Sequence, residues 1–180
     1  PVTVRINTLK ENSPDIVENL GAEKSGIIPD CYNLKCGDLT ALPEFKSGYF
    51  HVQDLSSQLC CMALNPTEND RVLDLCSAPG GKAFTMAQLM KDKGEIYAFD
   101  LHEKRVDLIK KGAERLGISN IKAMTGDACT FNPDLPKFSK ILCDVPCSGI
   151  GVIRRKPEIK YKNFAGFEKL PEIQYRILEN

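Results

Sequence analysis

The segment that most constrains the fold is residues 71–92, RVLDLCSAPGGKAFTMAQLMKD, where a short apolar run turns sharply into a helical pattern. RVLDLC is typical of a strand that is buried on both faces, whereas Phe84, Ala87 and Met90 recur at the spacing of one helix face. A strand followed by a helix across a glycine-containing turn begins a parallel β-α-β unit. The sequence therefore predicts an α/β fold with an open sheet and a ligand site at this turn.

The same alternation continues downstream. EIYAFD, IKAMTGDA and KILCDVP each have the composition of a strand, and HEKRVDLIKKGAERLG has one apolar face and a glycine stop at Gly117. These segments predict three connected β-α units and a four-stranded sheet whose last strand is an open edge. LPEIQYRILEN then begins an amphipathic helix, so we expect the sheet to be truncated after its fourth strand.

Residues 1–48 have a different organisation. VTVRIN alternates like a half-exposed strand, and SPDIVENLG is a short helix for which Ser13 is the expected N-cap and Pro14 the first helical residue. We interpret residues 1–48 as the C-terminal part of a small α+β module of the RNA-binding type. Residues 49–180 form the sheet domain, entered through a helix with Asp54 as its expected N-cap.

The turn CSAPGGK indicates what kind of ligand binds. Gly80 and Gly81 permit positive φ and close approach of a ligand, and the helix N-terminus offers free N–H groups to a carboxylate or another anion. A phosphate loop is disfavoured because Cys76 and Ala83 replace its first glycine and its final serine or threonine. The dinucleotide pattern G-x-G-x-x-G is also absent.

A nucleoside that carries a carboxylate remains as the ligand class. Asp100 ends the second strand and suits ribose hydroxyls, and Asp127 follows the third strand, where it suits the exocyclic amine of a base. Either aspartate alone is more simply explained as a turn residue. Asp144 follows the fourth strand, so acids stand at three successive strand ends, and together they favour a binding site.

The loop after the fourth strand contains a candidate reactive thiol. In DVPCSGIG, Pro146 fixes the backbone while Gly149 and Gly151 keep the loop open, so we expect Cys147 to be exposed. The following segment is basic, although the 24 basic and 24 acidic residues of the whole chain cancel. Charge alone leaves a solvated loop as probable as a nucleic-acid contact through Arg154, Arg155 and Lys156.

Composition restricts the compartment and excludes several classes of protein. The eight cysteines include residues within apolar runs and form no C-x-x-C pair, which favours buried free thiols in a reducing compartment and no metal site. No stretch reaches the roughly 20 apolar residues that a membrane span needs, and the first residues lack the apolar run of a signal peptide. We therefore expect a cytoplasmic protein.

The segments LDLCSAPGGK, DVPCSG and GVIRRKPEIKY, with VRINTLK and GYFHVQD upstream, resemble the RNA 5-methylcytosine methyltransferases, and within them the Sun/Fmu group that acts on small-subunit ribosomal RNA. The resemblance covers nearly the whole chain. It implies a class I, Rossmann-like methyltransferase sheet, S-adenosylmethionine as the cofactor, and a cytosine of small-subunit (16S) rRNA as the substrate.

The resemblance also implies residue roles. Asp100 would bind the ribose, Asp127 the adenine, and Asp144 would lie between the cofactor and the target base. The basic segment would face RNA. Another cysteine would attack carbon 6 of the cytosine, and Cys147 would assist release of the methylated product. The methionine part would be held by the turn residues Cys76, Ser77, Ala78, Pro79, Gly80, Gly81 and Lys82.

Two alternatives to this enzyme remain open. In this family the attacking cysteine lies in a Thr-Cys motif on a following strand, and because this sequence lacks that motif we expect the chain alone to be an inactive, noncatalytic cofactor- or RNA-binding fragment. An amino-group methyltransferase is the other alternative. It is disfavoured because Cys147 stands where such enzymes place an aromatic residue.

Overall fold

The computed structural model describes residues 2–153, 156–161, 163 and 165–180. The first part of the chain is a four-stranded antiparallel sheet with strand order β2-β3-β1-β4. A core of apolar residues, including Val4, Val17 and Phe50, stabilises this sheet. Its elements are β1 (Val2–Ile6), α1 (Ser13–Asn19), β2 (Glu23–Lys24), β3 (Cys31–Leu34), α2 (Pro43–Lys46) and β4 (Phe50–Val52).

The second part of the chain is the predicted parallel sheet, with strand order β7-β6-β5-β8, so the α/β class is confirmed. The helix α3 leads into this sheet, and α3, α4 and α5 contribute to the apolar core on one of its faces. The elements are α3 (Leu55–Leu64), β5 (Arg71–Asp74), α4 (Gly81–Leu89), β6 (Glu95–Asp100), α5 (Glu103–Leu116), β7 (Ile121–Thr125), β8 (Lys140–Leu142) and α6 (Leu170–Glu179).

Two expectations about local structure are wrong. The third β-α unit has no helix, because the connection from β7 to β8 contains Pro133 and Pro136, which cannot continue a helical ladder. Ser13 is not the N-cap of α1: Asn12 takes that position in the left-handed region, and the Ser13 hydroxyl donates to the carbonyl of Asn7 at 2.8 Å. Gly117 ends α5 in the left-handed region as predicted.

Buried polar groups join the two sheets. The guanidinium of Arg5 in β1, 2% exposed, donates through Nε to Oε1 of Gln88 in α4 at 2.9 Å. The amide of Asn7 donates to the carbonyls of Gly48 and Leu116, each at 2.8 Å. An unmade buried hydrogen bond costs roughly 1–3 kcal/mol, so these contacts fix how the sheets meet. Within the described residues, no helix is long and apolar enough to cross a membrane.

Candidate functional site

The turn between β5 and α4 has the tight geometry that its sequence predicts. Gly80 has φ +106°, and a Cβ atom there would lie 2.5 Å from Cζ of Phe84, so only glycine fits. Gly81 does not use the positive φ that glycine permits and is the first residue of α4. A Cβ atom on Gly81 would approach nothing closer than 3.8 Å, so a side chain there would make only ordinary contacts beside a cleft that Gly81 lines.

That space is a cleft of about 280 Å³, which we call the turn cleft. It brings together Asp144 and most of the turn residues that the sequence predicts, and adds residues from β4 and the start of α3. The lining residues are Val52, Gln53, Asp54, Ser57, Asp74, Cys76, Ser77, Ala78, Pro79, Gly81, Lys82 and Asp144.

A lysine and an aspartate pair at the rim of the turn cleft. Nζ of Lys82 in α4 donates to Oδ2 of Asp144, which follows β8. Burial lowers the pKa of Lys82, but the hydrogen bond and charge of Asp144 outweigh it and the net pKa is raised. The pair joins the cofactor side of the sheet to the loop that carries Cys147.

Asp74, the last residue of β5, is a site residue that sequence reasoning missed. Its side chain lines the turn cleft and is 1% exposed, and neither carboxylate oxygen has a hydrogen-bond partner among the described residues. Burial raises its pKa to about 7, although the nearby Ser77 hydroxyl and the charge of Lys82 lower it in part. A carboxylate within the apolar run RVLDLC was the signal that could have found it.

Asp100 ends β6 as predicted, but it is already engaged. Its carboxylate, 2% exposed, forms an ion pair with Nη1 of Arg105 in α5 at 3.0 Å, and it accepts from the backbone N–H of His102 at 3.2 Å. Nη2 of Arg105 donates to the carbonyl of Ala78 at 2.7 Å. Arg105, which sequence reasoning also missed, therefore ties Asp100 to the turn.

Asp127 is not brought into the turn cleft. It is exposed, accepts from the backbone N–H of Cys129 at 2.9 Å, and lines a second, largely apolar cavity of about 790 Å³. That cavity lies against Leu73, Phe99 and Ile141 of the strands. Asp127 thus does not line the turn cleft, although the backbone N–H of the preceding Gly126 donates to the carbonyl of Asp100 at 3.1 Å.

The loop after β8 exposes Cys147, as expected. Nε2 of Gln174 in α6 donates to the carbonyl of Pro146 at 2.7 Å, so the helix holds this loop. Lys156 is exposed, whereas Arg154 and Arg155 lie outside the described residues.

The expectation that the cysteines are buried holds for only two of them. All eight are free thiols, of which Cys31 and Cys61 are buried. Cys76 and Cys143 are half-buried, and burial raises the pKa of Cys76 to about 11. The described residues contain no group of three or more histidine, cysteine, aspartate or glutamate side chains that could hold a metal ion.

A parallel sheet with a cleft at its first strand–helix turn, bounded by acids at strand ends, fits the class I methyltransferases, whose cofactor is S-adenosylmethionine. The family model described as 16S rRNA methyltransferase RsmB/F matches residues 61–180. The chain belongs to this family.

Individual relatives agree with this assignment. The chain is 41% identical to the probable ribosomal RNA small subunit methyltransferase B of Bacillus subtilis, with 98% of the chain and 41% of that protein aligned. It is 38% identical to the human 28S rRNA (cytosine(4447)-C(5))-methyltransferase, over 89% of the chain and 21% of that protein. A methyltransferase homologue from Pyrococcus horikoshii superposes with a TM-score of 0.82 and 31% identity, over 99% of the chain and 59% of that structure. The chain thus spans less than half of the two curated relatives.

Proposed function

We propose that the protein to which this chain belongs methylates carbon 5 of a cytosine in small-subunit (16S) ribosomal RNA, in the cytoplasm. The match of residues 61–180 to the RsmB/F family, together with the turn cleft, carries the proposal. The name of the Bacillus subtilis relative supports the small subunit as the substrate. The described cysteines are free thiols, which supports a reducing compartment.

The residues of the turn cleft fit S-adenosylmethionine. Three side chains at least nine-tenths buried, those of Gln53, Asp74 and Ser77, line the cleft with polar atoms that have no partner among the described residues. Such buried groups cost free energy unless a ligand satisfies them. We assign the methionine part to residues 76–82, the ribose to Asp100, the adenine to Asp127, and the boundary with the target base to Asp144.

Cys147 and the basic segment that follows it are the residues that we assign to the RNA. When bound, the cofactor supplies an electrophilic methyl group. The exposed Cys147 thiol lies on the loop after β8, and its position three residues beyond Asp144 supports a role at the target base in product release. Lys156, with Arg154 and Arg155, would neutralise RNA phosphates. We propose residues 1–48 as part of an RNA-binding module, whose sheet is completed by β4, and residues 49–180 as the methyltransferase domain.

Bisulfite sequencing of ribosomal and transfer RNA, from cells with and without the gene, tests this function. The expected result is one cytosine of 16S rRNA that resists conversion only when the gene is present. A gene-dependent site in large-subunit rRNA would contradict the small-subunit assignment, which the human relative's name makes the main alternative. Methylation of an exocyclic amine, detected by mass spectrometry of the digested RNA, would contradict carbon 5 as the target.

A further inference from the structure

Gln53 follows β4 and lies beside the cofactor turn. Its backbone N–H donates to the carbonyl of Thr3 in β1 at 3.1 Å, and its side chain crosses to α4. A Cβ atom built on Gly81 would lie 3.8 Å from Nε2 of Gln53, which places this amide nitrogen next to the N-terminus of α4. The first sheet therefore contributes one wall of the turn cleft.

The orientation of the Gln53 amide is set by a hydrogen-bond relay. Oε1 of Gln53 accepts from the Thr85 hydroxyl at 2.6 Å, and Nε2 of His51 lies 3.4 Å from the same hydroxyl oxygen. All three residues are at least 94% buried. Burial lowers the pKa of His51 to about 3, so the imidazole is neutral at physiological pH and donates from a single nitrogen. With Nε2 as that donor, Thr85 is free to donate to Oε1.

The relay leaves the amide nitrogen of Gln53 without a hydrogen-bond acceptor among the described residues. With Oε1 held by Thr85, the two N–H groups on Nε2 have no acceptor among the described residues, although the residue is only 6% exposed. A buried donor of this kind costs free energy unless something accepts from it. Because Gln53 lines the turn cleft, a ligand bound there is the candidate for the missing acceptor.

We propose that Gln53 binds the methionine carboxylate of S-adenosylmethionine through Nε2, and that Thr85 and His51 are positioning residues that aim this donor into the turn cleft. The inference rests on the proposed cofactor site. The carboxylate is the anionic end of the ligand, and it would lie where Gln53 and the N-terminal N–H groups of α4 converge. The Asp74 side chain, which lines the same cleft with two unpartnered oxygens, suits the α-ammonium group instead.

Two ligands that differ only in the carboxylate test the proposal by calorimetry. The parent chain is titrated with S-adenosylmethionine and with its decarboxylated form, and the titrations are repeated with Gln53→Glu. This variant keeps an oxygen for Thr85 but replaces the donor with a negative charge. We expect affinity for S-adenosylmethionine to fall about 10- to 100-fold while affinity for the decarboxylated form changes less than threefold.

Further variants keep the experiment decisive. Gln88, in α4, is also a buried glutamine but does not line the cleft. Gln88→Glu therefore controls for the general effect of placing a new carboxylate in the interior. Gln53→Met removes the donor without adding charge, in case Gln53→Glu does not fold. Thr85→Val leaves Gln53 intact and is expected to weaken only S-adenosylmethionine, by severalfold.

The outcomes separate this inference from the proposed function. Equal weakening of both ligands by the Gln53 variants, or no weakening of either, would overturn the role of Gln53 while leaving the cofactor site in place. Failure of the parent chain to bind S-adenosylmethionine would overturn the cofactor site itself, and this inference with it.

Discussion

Replacing Asp74 with asparagine is expected to stabilise the ligand-free chain, by an amount that depends on pH. The carboxyl is fully buried without a hydrogen-bond partner among the described residues, and burial raises its pKa from 3.8 to about 7. Between pH 4 and 7 the folded chain keeps a proton at Asp74 that the unfolded chain releases, so its stability falls as the pH rises. A rise in pKa of this size corresponds to about 4 kcal/mol.

Asparagine does not titrate, so Asp74→Asn should match the parent near pH 4 and exceed it by up to about 4 kcal/mol at pH 8. His51 acts with the opposite sign. Its pKa is lowered from 6.5 to about 3, so the unfolded chain binds a proton that the folded chain does not, and stability rises with pH over that range. The two effects largely cancel in the parent, whereas the variant should show the His51 effect alone.

Urea denaturation followed by circular dichroism, at one-unit steps from pH 4 to pH 8, measures these differences. Asp134→Asn, at an exposed carboxylate, is the matched control for the loss of one charge. A stability difference between Asp74→Asn and the parent that does not grow with pH would refute the assignment of a protonated, buried Asp74.

Two further predictions concern the cleft and the exposed thiol. Gly81→Ala should leave the unfolding free energy unchanged within about 1 kcal/mol, because its Cβ would make only ordinary contacts with Gln53 and alanine favours a helix. The methyl group would nevertheless occupy the cleft, so S-adenosylmethionine binding should weaken at least tenfold by calorimetry; unchanged binding would place the ligand elsewhere. In the full-length protein, Cys147→Ala should accumulate a covalent protein–RNA adduct that survives denaturing electrophoresis. The reason is that another cysteine still bonds to the cytosine while release of the product slows. A folded variant that methylates at the normal rate without a trapped band would exclude the release role.

The sequence predicts the parallel sheet well because its signals are local. Each strand from β5 to β8 is a short apolar run, and α5 carries both an apolar stripe and a glycine stop at Gly117. The connection between β7 and β8 was mispredicted because the β-α pattern was extended past two prolines. Ser13 was misassigned because a serine before Pro14 fits an N-cap, whereas its hydroxyl in fact bonds to the carbonyls of Asn7 and Lys10.

The site could be predicted only in part, because several of its residues gain their roles from contacts that are distant along the chain. Most of the turn residues lie in one cleft with Asp144, as their positions at strand ends imply. The partner of Asp100 could not be predicted, because nothing in the sequence distinguishes Arg105 from the other basic residues of α5. Its role depends on the packing of α5 beside the turn, where it contacts both Asp100 and the carbonyl of Ala78. Gln53 was missed for the same reason: it is separated from Thr85 by 32 residues.

The two sheets act on the cofactor turn as one unit, because α4 is held by the first sheet on two successive helical turns. Thr85 donates to Gln53, and one turn later Gln88 accepts from Arg5 of β1. The strands β1 and β4 pair in a fixed register, Val4 opposite Val52, so the two contacts cannot shift independently. The first sheet therefore contributes to the turn cleft, through Val52 of β4 and the following Gln53, although it lies outside the parallel sheet.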